Sequence, residues 1–319
     1  MPPLYPDATI ANKTYVFPDP SPAIPSWLNP KISWVPSGSF QVGTNSVITV
    51  EVTRLTDVPI TGTPNSLTVQ LWICNPSTAL DTTDAAQAAR ITPDGNLGLF
   101  TGATATVTFN WTPTSTDTTK AAGPGHRCLI TRCFFDTDDT PALSKNLYAG
   151  SSDWRYAQHN LDIVQAFRGG EGPPQRLIQV TNLAEHPADI AIRVQPDLNP
   201  TARLREYLLP QLRRVSGFRQ IALTNPPPLA LSFPEFPAVH FESTALTGCI
   251  GKLLAAIGIG KAAATHTATV ALPAGRRTPL VFRPDMSGTP QGDAHIFHVT
   301  QSGRGGALQG GITVVTVAV

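Results

Sequence analysis

Gly125-His126-Arg127-Cys128-Leu129-Ile130-Thr131-Arg132-Cys133-Phe134-Phe135 decides the fold class. It reads as an alternating strand, with successive side chains on opposite faces. An acidic turn follows at Asp136-Thr137-Asp138-Asp139, and then a second strand phrase, Gln158-His159-Asn160-Leu161-Asp162-Ile163-Val164. About a dozen residues later Arg176-Leu177-Ile178-Gln179-Val180-Thr181-Asn182 opens a new strand. One body thus ends almost where another begins, which predicts two β-sandwiches in tandem.

Working back from this stretch, strand signals recur at sandwich spacing. Ile32-Ser33-Trp34-Val35 comes first. In residues 46–54, Ile48, Val50 and Val52 share one face and Thr49, Glu51 and Thr53 the other. In residues 66–75, Leu67, Val69, Leu71 and Ile73 are expected inward, leaving Trp72 and Cys74 outward. Ala105, Val107, Phe109 and Trp111 line one face of a further strand, with a turn expected at Pro93-Asp94-Gly95-Asn96, whose Asp-Gly pair suits positive φ.

Working forward, the Gly/Pro-rich run at residues 167–175 is the clearest boundary. Residues 177–182 and 188–195 are expected to form a hairpin. Leu204, Leu208, Leu212 and Val215 recur at helical spacing before Gly217, which predicts a helix over 201–217. Prolines 226–228, 234 and 237 leave room for an edge strand through 229–233. Residues 248–264 read as helix or buried loop. Residues 267–272, 278–282, 294–301 and 312–319 read as strands, the last two forming a terminal hairpin.

Composition agrees. In 319 residues only 14% are charged, while 31 Pro and 25 Gly supply turns, the balance of short strands joined by loops. The expected layout is a Pro-rich arm over 1–30, a β-sandwich over 31–166, a hinge over 167–175, and a second sandwich over 176–319 interrupted by an insertion at 201–264. A net charge of +1 from 23 basic and 22 acidic residues gives no global field for a polyanion, so nucleic acid is not expected as a partner. No apolar run approaches the roughly 20 residues of a membrane span. The start, Met1-Pro2-Pro3-Leu4-Tyr5-Pro6-Asp7, lacks the pattern of a secretory signal. A soluble chain is expected, with a cytoplasmic place, signal-independent export to the exterior, and loss of an earlier signal all left open.

The residues 125–132 followed by 158–161 resemble those of immunoglobulin-like modules of the CARDB or adhesion-related kind found in bacterial multidomain proteins. The second half is similar to such modules through Leu272-Pro273-Ala274-Gly275, Pro290-Gln291-Gly292-Asp293-Ala294-His295 and Gly310-Gly311-Ile312-Thr313-Val314-Val315. The resemblance spans roughly residues 31–166 and 176–319, and residues 201–264 depart from it. It implies a binding, spacer or assembly module and brings no catalytic residues and no cofactor.

Candidate chemistry is sparse. Asp136, Asp138 and Asp139, with Asp153, form a calcium candidate, although the Gly and distal Glu of a calcium-binding helix–loop–helix are missing and a solvated turn is the stronger reading. His126, Cys128, Cys133 and His159 would suggest zinc, but the two thiols, five positions apart on one strand, point to opposite faces, where a tetrahedral site needs convergence. Cys74 and Cys249 fall in different bodies, so free thiols are expected. No Gly-x-Ser-x-Gly elbow occurs, and Gly248-Cys249-Ile250-Gly251-Lys252 has neither the spacing nor the hydroxyl residue of a phosphate loop. Arg203, Arg205, Arg213 and Arg214 against Glu206 read as a solvated helix face, with an acidic partner as the alternative.

These residues point to a non-enzymatic assembly protein that associates with copies of itself, as an oligomer or filament. Three features motivate it: the arm, the outward Trp72 and Cys74, and a terminal strand, 312–319, apolar on both faces and therefore in need of a cover. Tyr15, Phe17, Trp27, Trp72 and Trp154 are the interface candidates. The alternative is a module that binds a carbohydrate or protein ligand. A hydrolase in 201–264 would require a nucleophile and base within hydrogen-bond reach, a pair the sequence does not announce.

Overall fold

Along the chain run β1 (Tyr15–Val16), β2 (Ile32–Val35), β3 (Ser46–Arg54), β4 (Leu67–Cys74), β5 (Ala88–Leu97), β6 (Thr104–Trp111), β7 (Cys128–Phe135), β8 (Tyr156–His159), β9 (Leu161–Ala166), β10 (Arg176–Thr181) and β11 (Ala188–Pro196). After helix α1 (Ala202–Leu212) come β12 (Gln220–Ile221), β13 (Leu229–Ser232), β14 (Glu242–Ala245), β15 (Ala264–Leu272), β16 (Arg277–Pro284), β17 (Asp293–Ser302) and β18 (Leu308–Ala318). This computed structural model describes residues 15–16, 23–35, 39–54, 67–82, 84–98, 103–116, 125–135, 155–166, 175–245 and 264–319. The fold is all-β. Its contacts divide it into one unit of residues 1–76 and 80–160 and another of 77–79 and 161–319.

In the first unit β3 pairs with β1, β2 and β6, and a second sheet has the order β5-β4-β7-β8. The two sheets share a core in which Ile48, Val50, Val52 and Phe109 meet Val69, Leu71, Ile73, Leu129 and Cys133. The alternation of β3 predicted its buried face correctly. On β4 the inward set Leu67, Val69, Leu71 and Ile73 was right, but the other face is not open, because every residue from Leu67 to Cys74 is buried. Trp72 and Cys74 are 2% and 0% exposed, not outward. They belong to a second apolar cluster with Leu80, Ala88, Cys128, Ile130 and Tyr156. A central strand covered on both sides loses the apolar-in, polar-out rule that read it.

Three further expectations change. Pro93 to Asn96 is not a turn but lies within β5. A Cβ on Gly95 would sit 2.2 Å from Val107 Cγ2 of β6, so close approach of another strand, not positive φ, demands the glycine. The proline-rich start is not free of core. Ile24, Trp27 and Leu28 are buried, and the backbone of 27–29 is bonded to β8 through Asn29 N to Gln158 O and Asn160 N to Trp27 O, both at 2.8 Å. Finally, the phrase 158–164 is two strands. β8 pairs with β7 in the first unit, whereas β9 pairs in parallel with β18 in the second.

The second unit has one sheet of order β10-β16-β13 and a larger one of order β14-β15-β11-β17-β18-β9, with β12 beside β17. Their shared core joins Ile178, Val180, Leu280 and Phe282 to Ile190, Ile192, Val270, Phe297 and Val314. β10 and β11 sit in different sheets and do not form the expected hairpin. The corner between them is held by Asn182, which is fully buried and donates to His186 O, Leu272 O and Pro273 O at 2.9–3.0 Å. The terminal hairpin forms as expected, β17 against β18. The apolar β18 is buried from Gly310 to Ala318, and its two edges are paired with β17 and β9. Residues 77–79 are tied to this unit by Thr78 Oγ1, which donates to Gln301 Oε1 at 2.6 Å. α1 starts on a Thr201 cap to Leu204 N and buries Leu204, Leu208 and Leu212, three of the four positions its periodicity predicted, but it stops at Leu212 and leaves Val215 half-buried in the turn beyond.

Candidate functional site

Of the interface candidates, Trp27 is 8% exposed and Trp72 2%, the latter packed in the apolar cluster with Cys74, Leu80 and Tyr156. Tyr15 is described only through its backbone, which pairs with Arg54 of β3. Phe17, Trp154 and the calcium candidates Asp136, Asp138, Asp139 and Asp153 lie outside the described residues, as does Cys249. Cys128 and Cys133 do face opposite cores. Among the described residues no group of three or more His, Cys, Asp or Glu converges on a metal position. His159 is 3% exposed, and burial, with His126 beside it, pushes its pKa down to about 3. Its ring meets Trp34 edge-on at 4.8 Å, so it sits as a neutral core side chain.

The arrangement with functional geometry lies in the second unit, in the region that departs from a plain sandwich. Pro226, Pro227 and Pro228 supply no backbone donors and hold the chain extended on its way into β13. β13 pairs with β16 on one side and ends its sheet. Among the described residues β14 pairs with β15 on one side and ends the other sheet. A cavity of about 480 Å³ is lined by residues of both strands, among them Leu231 and Ser232 of β13, Ser243 of β14 and Arg283 of β16. A neighbouring cavity of about 500 Å³ shares Leu229 and His266 with it and is floored by Phe297. A third, of about 750 Å³, shares Val239 and His240. The three form a run of grooves with mixed apolar and polar walls.

His266 stands in the wall shared by the first two cavities. It lies directly across from Ser243 in the β14–β15 ladder, and its Nδ1 is 2.8 Å from Ser243 Oγ. Partial burial lowers its pKa below the usual histidine value, so the ring is neutral near pH 7 and accepts or donates according to its tautomer. Here is a hydroxyl–imidazole pair that sequence reasoning did not find, because Ser243 and His266 lie 23 positions apart and become neighbours only through strand register. No carboxylate bonds to this ring among the described residues, so the third member that would orient the base is absent there. Asp285, on the neighbouring cavity of about 500 Å³, is held below the usual carboxylate range by hydrogen bonds from Ser287. The pair fits best as a hydrogen-bonding wall.

Arg203, Arg205, Arg213 and Arg214 are exposed on and just after α1, the solvated face that was expected.

No family model and no curated protein matches the chain. Among solved structures, the CupB6 tip adhesin from Pseudomonas aeruginosa is similar at 6% identity, over 96% of this chain and 98% of that one, with a TM-score of 0.19. Blue Copper Oxidase from Nitrosomonas europaea is similar at 9% identity, over 85% of this chain and 73% of that one, also with a TM-score of 0.19. Superposition this loose carries no functional argument.

Proposed function

We propose that the chain is a non-catalytic binding module of immunoglobulin-like character whose second unit takes an extended segment of a protein partner. The observation that carries this is the meeting of two sheet-ending strands, β13 and β14, on one groove of about 480 Å³. An edge strand presents unpaired N–H and C=O groups on its open side, and an extended peptide satisfies them by adding a strand, while pockets beside it select side chains. Ser232, Ser243 and His266 offer polar contacts, and Leu229 and Leu231 apolar ones.

A carbohydrate is the weaker occupant. Phe233 and Phe241 on this groove stack on each other at 5.6 Å, and Phe233 is 1% exposed, which leaves little open ring face for a sugar. Self-association through the sandwich faces is weaker too, since Trp72, Cys74 and β18 are covered by their own chain.

Selection of a displayed random peptide library on the immobilised chain tests the reading. Peptides with alternating apolar residues are expected to enrich, and Ala230→Lys and Ser243→Lys, both at exposed positions on the two edges, are expected to weaken them at least tenfold. Enrichment indifferent to both changes, or none above an unrelated β-sandwich, refutes it. Sedimentation of the same sample distinguishes a partner from a second copy.

A further inference from the structure

Cys74 and Cys128 face each other. They are Cα partners across the antiparallel β4–β7 ladder, on the same side of the sheet, in the cluster containing Trp72, Leu80, Ala88, Ile130 and Tyr156. Directly opposed residues in an antiparallel pair have Cα atoms about 4.5 or 5.5 Å apart, according to the type of pair. Both values fall within the roughly 4.4–6.8 Å span of disulfides. Cys133 is excluded by the same alternation, since it lies in the other core. Gln158 of β8 closes the site from the side, its Nε2 3.3 Å from Cys128 Sγ.

We infer that Cys74 and Cys128 are an oxidisable dithiol that closes into a cross-strand disulfide when the chain folds in the presence of a small-molecule disulfide. In the first step the thiolate of one cysteine attacks the oxidant, forming a mixed disulfide and releasing one thiol. In the second, the other cysteine attacks the protein-side sulfur and releases the second thiol. Two protein S–H bonds are lost, one S–S bond forms, and the oxidant takes up two electrons and two protons. Timing follows from burial. Both cysteines are 0% exposed and unbridged, and burial raises both thiols above their usual pKa. The folded pair is therefore shielded from exchange, and the reaction belongs to the interval in which β4 and β7 come together. The bond would close a loop containing β5 and β6, which constrains the unfolded chain.

The test refolds the full chain from denaturant with either reduced or oxidised glutathione, followed by non-reducing peptide mapping and thermal unfolding. The expected result is a peptide linked through Cys74 and Cys128 in the oxidised sample alone, with the first unit's midpoint raised by roughly 5–15 °C and returned by dithiothreitol. The double variant Cys133→Ser, Cys249→Ser is expected to retain both, and Cys128→Ala to lose both. Four free thiols after oxidative refolding, a bridge through Cys133 or Cys249, or a linked form with a lowered midpoint overturns the inference.

Discussion

Replacing Gln301 by Leu tests how residues 77–79 are held in the second unit. Gln301 is fully buried. Its Oε1 accepts from Thr78 Oγ1 at 2.6 Å and from Thr181 N at 3.3 Å. Its Nε2 donates to Thr181 O at 2.6 Å and to Gln309 Oε1 at 2.7 Å. Leucine keeps most of the volume and removes every one of these bonds. Each contributes roughly 1 kcal/mol net, and buried partners left short of a bond cost more. Thr78 Oγ1 can fall back on Gln179 O at 3.3 Å, which offsets part of the loss. The sum is a destabilisation of about 2–4 kcal/mol. Gln301→Glu is the sharper variant, because it turns a donor towards two oxygens into a charged acceptor. It should cost more than leucine at pH 7 and recover as the carboxyl protonates. The chain offers a convenient readout: its described tryptophans, at 27, 34, 72 and 111, all fall in the first unit. Fluorescence then follows that unit, and the remaining circular dichroism change in a urea titration reports the second. A Gln301→Leu shift within 0.5 kcal/mol of the parent, or a Gln301→Glu protein as stable as the parent at pH 7, refutes the network.

Other consequences are open to the same titrations. Gly95→Val drives side-chain atoms into Val107 and should destabilise the first unit by roughly 1–3 kcal/mol, read by fluorescence. Deleting residues 1–30 removes the buried Ile24, Trp27 and Leu28 and should cost roughly 5 kcal/mol or more, read by fluorescence. His159 is neutral when folded, with a pKa of about 3, and reverts to about 6.5 on unfolding. The unfolded chain therefore binds the extra proton, and stability should fall as pH drops from about 6.5 towards 3, by about 2 kcal/mol at pH 5. His159→Gln should flatten that slope in urea midpoints taken across this range.

The strands themselves were legible because side-chain alternation reports which face is buried. It does so only where one face is wet. β3, with Ile48, Val50 and Val52 in and Thr49, Glu51 and Thr53 out, satisfies that condition, and its register was readable residue by residue. β4 does not, and Thr68, Gln70, Trp72 and Cys74 look outward in sequence while lying under other chain segments. Local pattern also carries no information about which sheet a strand joins. Nothing in Gln158 to Val164 marks Asn160 as the point where pairing passes from β7 to β18, because both partners are remote in sequence.

The same physics explains why the proposed site escaped notice. Ser243 and His266 acquire meaning from register, as do Cys74 and Cys128, and register is fixed by the packing of whole sheets. The residues that stood out in sequence were tryptophans and a proline-rich start, large or unusual groups that a small β unit uses to cover itself. The burial of Trp27 and Trp72 removes the reason for assigning those two to an interface. On the proposed reading, what is left for a partner is what the described residues do not use: the open sides of β13 and β14 and the grooves beside them. If the proposal holds, the core is advertised in the sequence and the binding surface is not, because short, ordinary edge segments such as Leu229–Ser232 and Glu242–Ala245 have nothing distinctive except the absence of a second neighbour among the described residues.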